Sequence, residues 1–220
     1  MEGHDITLNG AALTLRPTGT VWWAEARMLI VADLHLCKSE RMARRGGVLL
    51  PPYETLETLD RLGAEIDRTG AATVLCLGDS FDDLDAACAI GEAEAATLAR
   101  LQAGRAWLWV EGNHDPGPVD LGGTHLAEHR QGPLVFRHIA EPGPVAGELS
   151  GHYHPKARIK GHGRSCFLSD GQRLILPAFG CYTGGLDCLS PSLRTRLGPQ
   201  ATAFLLGRRV VPVPLPALAA

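Results

Sequence analysis

The chain has 220 residues, 45% of them hydrophobic, and a formal net charge of -3 from 21 basic and 24 acidic side chains. That length and apolar content suffice for one core, so a single domain over residues 1–220 is expected. The slightly acidic balance excludes bulk attraction to a nucleic-acid backbone, so any such contact must be a local patch. Met1–Gly10 is polar and holds no apolar secretion core, and no run of about 18 apolar residues offers a membrane span. Cys37, Cys76, Cys88, Cys166, Cys181 and Cys188 contain no Cys-x-x-Cys pair. Reduced thiols and a cytoplasmic location are the expectation. Nothing in the sequence sets an oligomeric state.

In chain order, Ala12–Arg16 and Val21–Ala24 read as strands of a hairpin across Pro17-Thr18-Gly19. Arg27–Ala32 is an apolar run that fits a strand covered on both faces, ending at Asp33. Pro51–Thr69 reads as a helix, with Leu56, Leu59, Leu62 and Ile66 at spacings of three and four and Gly70 as the stop. Ala72–Leu77 is a second apolar strand, ending at Gly78-Asp79. Leu84–Leu101 reads as one alanine-rich helix, weakened at Gly91. Ala106–Val110 is a third apolar strand, ending at Glu111-Gly112-Asn113-His114. Strands alternating with helices, each strand ending in polar residues, imply βαβ units with a site at the carboxyl ends of the strands.

After Gly123 the texture changes. Leu134–Arg137, Val145–Leu149, Ala157–Lys160, Cys166–Leu168 and Leu174–Leu176 read as short, mostly antiparallel strands. Ala201–Leu206 and Val210–Val213 read as a last hairpin, and Pro212–Ala220 as a frayed tail. The expected architecture is therefore α/β, with two sheets packed together.

Four islands carry chemistry. Asp33 and His35 alternate with Leu34 and Leu36, so in an extended segment both polar groups face one ion while the leucines face the core. Asp79 follows Gly78, where a carboxylate can bridge two cations. In Gly112-Asn113-His114-Asp115, Asn113 offers a neutral oxygen, His114 a proton donor or phosphate binder, and Asp115 a group to fix the tautomer of His114. His152 and His154 flank Tyr153, and His138 ends the strand Leu134–Arg137. His4, His125, His129 and His162 lack such settings and read as surface or structural. A mixed oxygen and nitrogen set without cysteine favours Mn²⁺, Fe²⁺ or Zn²⁺ over a thiolate zinc site or a carboxylate Mg²⁺ site. Two ions roughly 4 Å apart can activate a water and hold a phosphate.

The ordered set Asp-x-His, Gly-Asp, Gly-Asn-His-Asp, His, Gly-His-x-His resembles the calcineurin-like metallophosphoesterase superfamily. The resemblance implies a four-layer α/β/β/α sandwich with two packed mixed sheets, and phosphoester hydrolysis. It assigns Asp33, His35 and His154 to one metal, Asn113, His138 and His152 to a second, and Asp79 to both, with His114 and Asp115 catalytic. A narrower likeness runs through Asp33-Leu34-His35-Leu36 with Lys38, Leu50-Pro51-Pro52, Glu148–Pro155, Arg173–Gly180 and Tyr182–Gly185. These segments resemble the bacterial ligase-associated DNA damage response endonucleases of the PdeM type. That likeness implies a Mn²⁺-supported phosphodiesterase or nuclease acting on DNA in repair, beside a DNA ligase and a helicase. Two positions depart from that type: Cys37 stands where Gly is expected, and Asp82-Asp83 where a His is usual.

Lys38, Arg41, Arg44 and Arg45 follow the first island, and Arg158, Lys160 and Arg164 follow the last. If the islands meet, these groups flank one cleft and contact phosphates beside a scissile bond; the alternative is an ordinary solvated surface. Trp107 and Trp109 alternate within a strand and read as core. The competing functions are a small-molecule phosphodiesterase or phosphatase, and a non-catalytic, metal-stabilised scaffold in a repair complex.

Overall fold

The computed structural model describes residues 2–143, 145–159 and 161–218. The chain opens with β1 (His4–Leu8), β2 (Ala11–Leu15), β3 (Val21–Trp23) and β4 (Met28–Val31). Next come α1 (Lys38–Arg44), α2 (Glu54–Thr69), β5 (Thr73–Leu77), α3 (Leu84–Cys88), α4 (Glu92–Gln102) and β6 (Ala106–Val110). Then follow β7 (Thr124–Leu126), β8 (His129–Gln131), β9 (Leu134–Arg137), β10 (Glu148–Ser150), β11 (Lys156–Ile159), β12 (His162–Ser169) and β13 (Arg173–Ile175). The last elements are α5 (Pro191–Arg194), β14 (Thr202–Leu205), β15 (Val211–Pro214) and α6 (Leu215–Leu218).

The first sheet has seven strands in chain order, β1 to β7. Its first half is an antiparallel meander, and β4, β5, β6 and β7 run parallel. The second sheet has eight strands in the order β15-β14-β12-β13-β10-β9-β8, with β11 paired to β12.

Alternation along the strands sorts the side chains into layers. Ile30, Leu75, Leu77 and Val110 meet Phe136, Leu149, Phe167 and Leu174 between the sheets. Leu29, Val31, Val74, Cys76, Trp107 and Trp109 face the other way, against Leu59, Leu62 and Ile66 of α2 and Leu98 of α4. Leu168, Ile175 and Leu205 pack outward with Leu193 of α5 and Leu215 of α6. Both sheets mix strand directions, and helices cover both outer faces. This is the four-layer α/β/β/α sandwich expected, and the two tryptophans of β6 are core as read.

Several local expectations change. The helix expected over Leu84–Leu101 is two, because Gly91 takes an extended conformation (φ -68°, ψ 155°) and caps α4. Pro51 and Pro52 lie outside α2, which starts at Glu54. The second sheet is mostly antiparallel, as expected, except that β9, β10 and β13 at its centre run parallel. The tail is not frayed through residue 218. Pro212 and Pro214 sit on the edge strand β15, where a missing N–H costs no ladder bond, and Leu215 is buried. Lys160, Ala219 and Ala220, on which parts of those expectations fell, lie outside the described residues.

Candidate metal centre

The carboxyl ends of β4, β5 and β6 in one sheet and of β9 and β10 in the other come together at one edge of the sandwich. β4 delivers Asp33 and His35, β5 delivers Asp79, and β6 delivers Asn113 and His114. β9 delivers His138, and β10 delivers His152 and His154. The parallel centre of the second sheet thus aims three histidines at the three loops of the first.

The first island is not extended. Asp33 (φ 54°), His35 (φ 44°), Asp79 (φ 47°), His152 (φ 71°) and His154 (φ 45°) all have left-handed backbones. Such conformations persist only where the surroundings enforce them. Leu34 and Leu36 are buried as expected. The enforcing bonds are visible. His152 N donates to both Asp33 carboxylate oxygens (3.1 and 2.9 Å), and His35 N donates to Asp79 O at 2.9 Å. Glycine is required at two close approaches. A Cβ at Gly78, itself at φ 76°, would strike the His138 ring, and one at Gly112 would overlap the Asp79 amide and carboxylate.

All seven residues expected to hold metal meet here. His154 Nε2 lies 3.3 Å from Asp33 Oδ1 and 3.4 Å from His35 Nε2. His138 Nε2 lies 3.0 Å from Asn113 Oδ1, 3.2 Å from His152 Nδ1 and 3.3 Å from Asp79 Oδ2. The same Asp79 oxygen is 4.0 Å from His35 Nε2. Asp33, His35 and His154 form one compact donor group, and Asp79, His138 and His152 another.

The donor chemistry fits cations. His35 gives Nδ1 to Asp82 Oδ1 at 2.8 Å, and His138 gives Nδ1 to Leu77 O at 2.9 Å. Each therefore turns an Nε2 lone pair toward other acceptors. Converging lone pairs repel unless a positive charge lies between them.

The carboxylates and imidazoles also act on one another. Burial raises the pKa of Asp79, but the hydrogen bond and charge of His138, the His114 amide and His35 outweigh it and bring it to about 2. Burial lowers that of His138, yet Asp79 and Asp33 raise it overall. Burial and the neighbouring His138 lower that of His152.

Two expectations need revision. Asp115 does not orient His114. Its carboxylate accepts four backbone N–H groups, from Asp79 (3.0 Å), Ser80 (2.8 Å), Phe81 (3.1 Å) and Gly112 (2.9 Å). It ties the loop after β5 to the loop after β6, and burial pushes its pKa up to about 6. Asp82 takes the orienting part instead: His114 Nδ1 donates to its carbonyl at 2.8 Å. Fully buried, Asp82 holds His35 with its side chain and His114 with its backbone. The sequence signal is the acid three residues after Asp79, where the resembled type has a His.

The basic residues after the first island are also not free. Asp82 binds Lys38 (3.3 Å) and Arg41 (2.8 Å), while Asp83 binds Arg44 (2.7 Å) and Arg45 (3.0 Å). Arg158 pairs with Asp187 at 3.0 Å. The acids at 82 and 83 are counter-charges of the basic stretch Lys38–Arg45. None of His4, His125, His129 and His162 belongs to a donor group among the described residues.

Two facing sheets with donors gathered where their parallel strands end make this protein a metal-dependent phosphoesterase. Residues 26–195 match the calcineurin-like phosphoesterase family, and the chain belongs to that family. It is similar to the crystal structure of Pseudomonas putida nuclease MPE, at 28% identity and TM-score 0.76 over 96% of this chain and 100% of that one. No curated protein matches the chain. Among the described residues no helix is long and apolar enough to cross a membrane.

Proposed function

We propose that the chain is a two-metal phosphodiester hydrolase acting on DNA in repair. One observation carries the two-metal reading: Asp79 Oδ2 lies within 4.0 Å of an imidazole nitrogen from each donor group. Asp33, His35 and His154 would hold one ion, Asn113, His138 and His152 the other, and Asp79 both. Mn²⁺ suits this mixed nitrogen and oxygen set, with Fe²⁺ or Zn²⁺ as alternatives. The ions would supply Lewis acidity and a water nucleophile at neutral pH.

The protein's own part is positioning. With Nδ1 committed to Asp82 O, His114 has Nε2 left for the centre, where the protonated ring would bind the phosphate or give its proton to the leaving oxygen. Asp115 is a positioning residue that keeps the Asp79 and Gly112 loops in register. Arg45, on the α1 flank, would touch a flanking phosphate; its 57% exposed side chain supports this. DNA as substrate is supported by the likeness to a nuclease, and partnership with a DNA ligase and helicase by the motifs shared with ligase-associated endonucleases.

Hydrolysis of bis-p-nitrophenyl phosphate with Mn²⁺ tests the chemistry. The expected result is turnover that EDTA abolishes and that Asp79→Ala and His114→Ala greatly reduce. Turnover indifferent to EDTA overturns the reading. Products from nicked, single-stranded or duplex DNA test the substrate; their absence at high enzyme, with cyclic nucleotides or monoesters cleaved instead, replaces it with a small-molecule reading.

A further inference from the structure

A shallow, largely open depression of about 370 Å³ lies directly beside the second donor group, lined in part by His138 of that group and by Asn113. That volume lies within the range of about 300–1,000 Å³ typical of small-ligand sites. Its charge is unlike that of a phosphate site. Glu111, Glu128 and Glu141 line it against a single cation, Arg137. Arg137 is already engaged by Glu128, by Glu141 at 3.1 Å and by Glu148 at 3.4 Å. Hydrogen bonds from Arg130 and Arg137 outweigh the burial of Glu128 and keep its pKa below the usual range. A second phosphate here would meet carboxylates with no free guanidinium to receive it.

The cavity instead offers acceptors and an apolar wall. Glu111 follows the last residue of β6 and stands two before Asn113. Its side chain is half-buried, and no hydrogen bond or ion pair of its carboxylate is found among the described residues. Ile139, directly after His138, is 41% exposed in the same cavity, and Pro116 and Ala127 add apolar surface. An uncommitted carboxylate next to an exposed aliphatic face matches a flat, uncharged group with N–H donors. Nucleobase amines are such donors, and Glu is their usual side-chain acceptor on cytosine.

We propose that this cavity binds a nucleobase of the substrate, with Glu111 as a specificity-determining residue favouring bases that carry an exocyclic amine over thymine. The proposal deepens the nuclease reading and, for its role in turnover, rests on it. Occupancy can be tested without turnover. Equilibrium binding of deoxycytidine and thymidine to the full chain should favour deoxycytidine at least about fivefold. Glu111→Gln should close that gap by replacing one acceptor oxygen with a donor, and Ile139→Asp should weaken both nucleosides together. Equal binding of the two nucleosides by the native chain overturns the proposal, as does a gap that survives Glu111→Gln. Cleavage of d(CpC) against d(TpT) with Mn²⁺ should show the same preference. If nucleoside discrimination holds while neither dinucleotide nor bis-p-nitrophenyl phosphate is cut, the hydrolase reading fails and the base site stands.

Discussion

The two flanks of the centre differ in which of their charges are spoken for. On the α1 side Lys38, Arg41, Arg44 and Arg45 meet Asp82, Asp83, Asp85 and Glu40, so the most basic stretch of the chain is largely neutralised internally. On the β6–β9 side acids outnumber Arg137, and among the described residues the Glu111 carboxylate has no hydrogen-bond or ion-pair partner. A run of like charges in sequence is therefore a poor guide to the field a substrate meets. The unpaired remainder decides it, and exposed pairs contribute little to stability.

Asp79 lies between the flanks, and its loss should be the largest effect. Asp79→Ala removes the oxygen that faces Nε2 of both His35 and His138, one from each donor group, and Mn²⁺-dependent hydrolysis should fall by about 10³-fold or more. Calorimetric metal titration should show the loss of at least one binding event. Retention of more than a tenth of the activity would mean that the two groups work without a shared oxygen.

Asp82 and Asp83 separate the flanks more finely. Asp82→Ala frees Nδ1 of His35, takes the carboxylate from Lys38 and leaves Arg41 with Asp83. Carboxylates behind metal-binding histidines are typically worth 10–100-fold in metal affinity, and that weakening is expected in Mn²⁺ titration. Asp83→Ala touches no donor. It removes the cap of α3, where Asp83 accepts from Ala86 N at 2.7 Å, and three arginine partners, Arg41, Arg44 and Arg45. Its expected effect is about 1 kcal/mol in denaturant unfolding with metal affinity unchanged. Equal effects of both substitutions on Mn²⁺ affinity would show that α1 as a whole, not the His35 contact, supports the centre.

Much of this was legible because strand ends and ligand residues coincide. Apolar runs ending at Asp33, Asp79 and Asn113 marked both the strands and the site, since a buried run leaves polar residues only where the chain emerges. The second sheet was harder. β7 and β8 are three-residue strands held by tertiary pairing rather than by their own pattern, and the parallel pairing of β10 with β9 and β13 has no local signal. Contact partners were the least legible. Asp115 and His114 are adjacent in sequence, yet the Asp115 side chain turns to four amides while His114 turns to Asp82. Adjacency states nothing about direction once the backbone leaves the extended region.

The smallest expected effect tests the α1 flank itself. Arg44 has carboxylate oxygens from Glu40, Asp83 and Asp85 within 3.3 Å, whereas Arg45 has one, from Asp83 at 3.0 Å. Arg45 is also the more exposed, at 57% against 34%. A phosphate competing for Arg44 must displace several partners; competing for Arg45, it displaces one screened contact. Arg45→Ala should therefore weaken DNA binding by no more than about threefold and shallow the salt dependence by less than about one unit of log–log slope. Arg44→Ala should leave that slope unchanged. Filter binding across a salt series distinguishes them. A larger slope change for Arg44 than for Arg45 would show that DNA breaks the ion pairs of α1, making the neutralised flank a latent phosphate surface that opens only when substrate arrives.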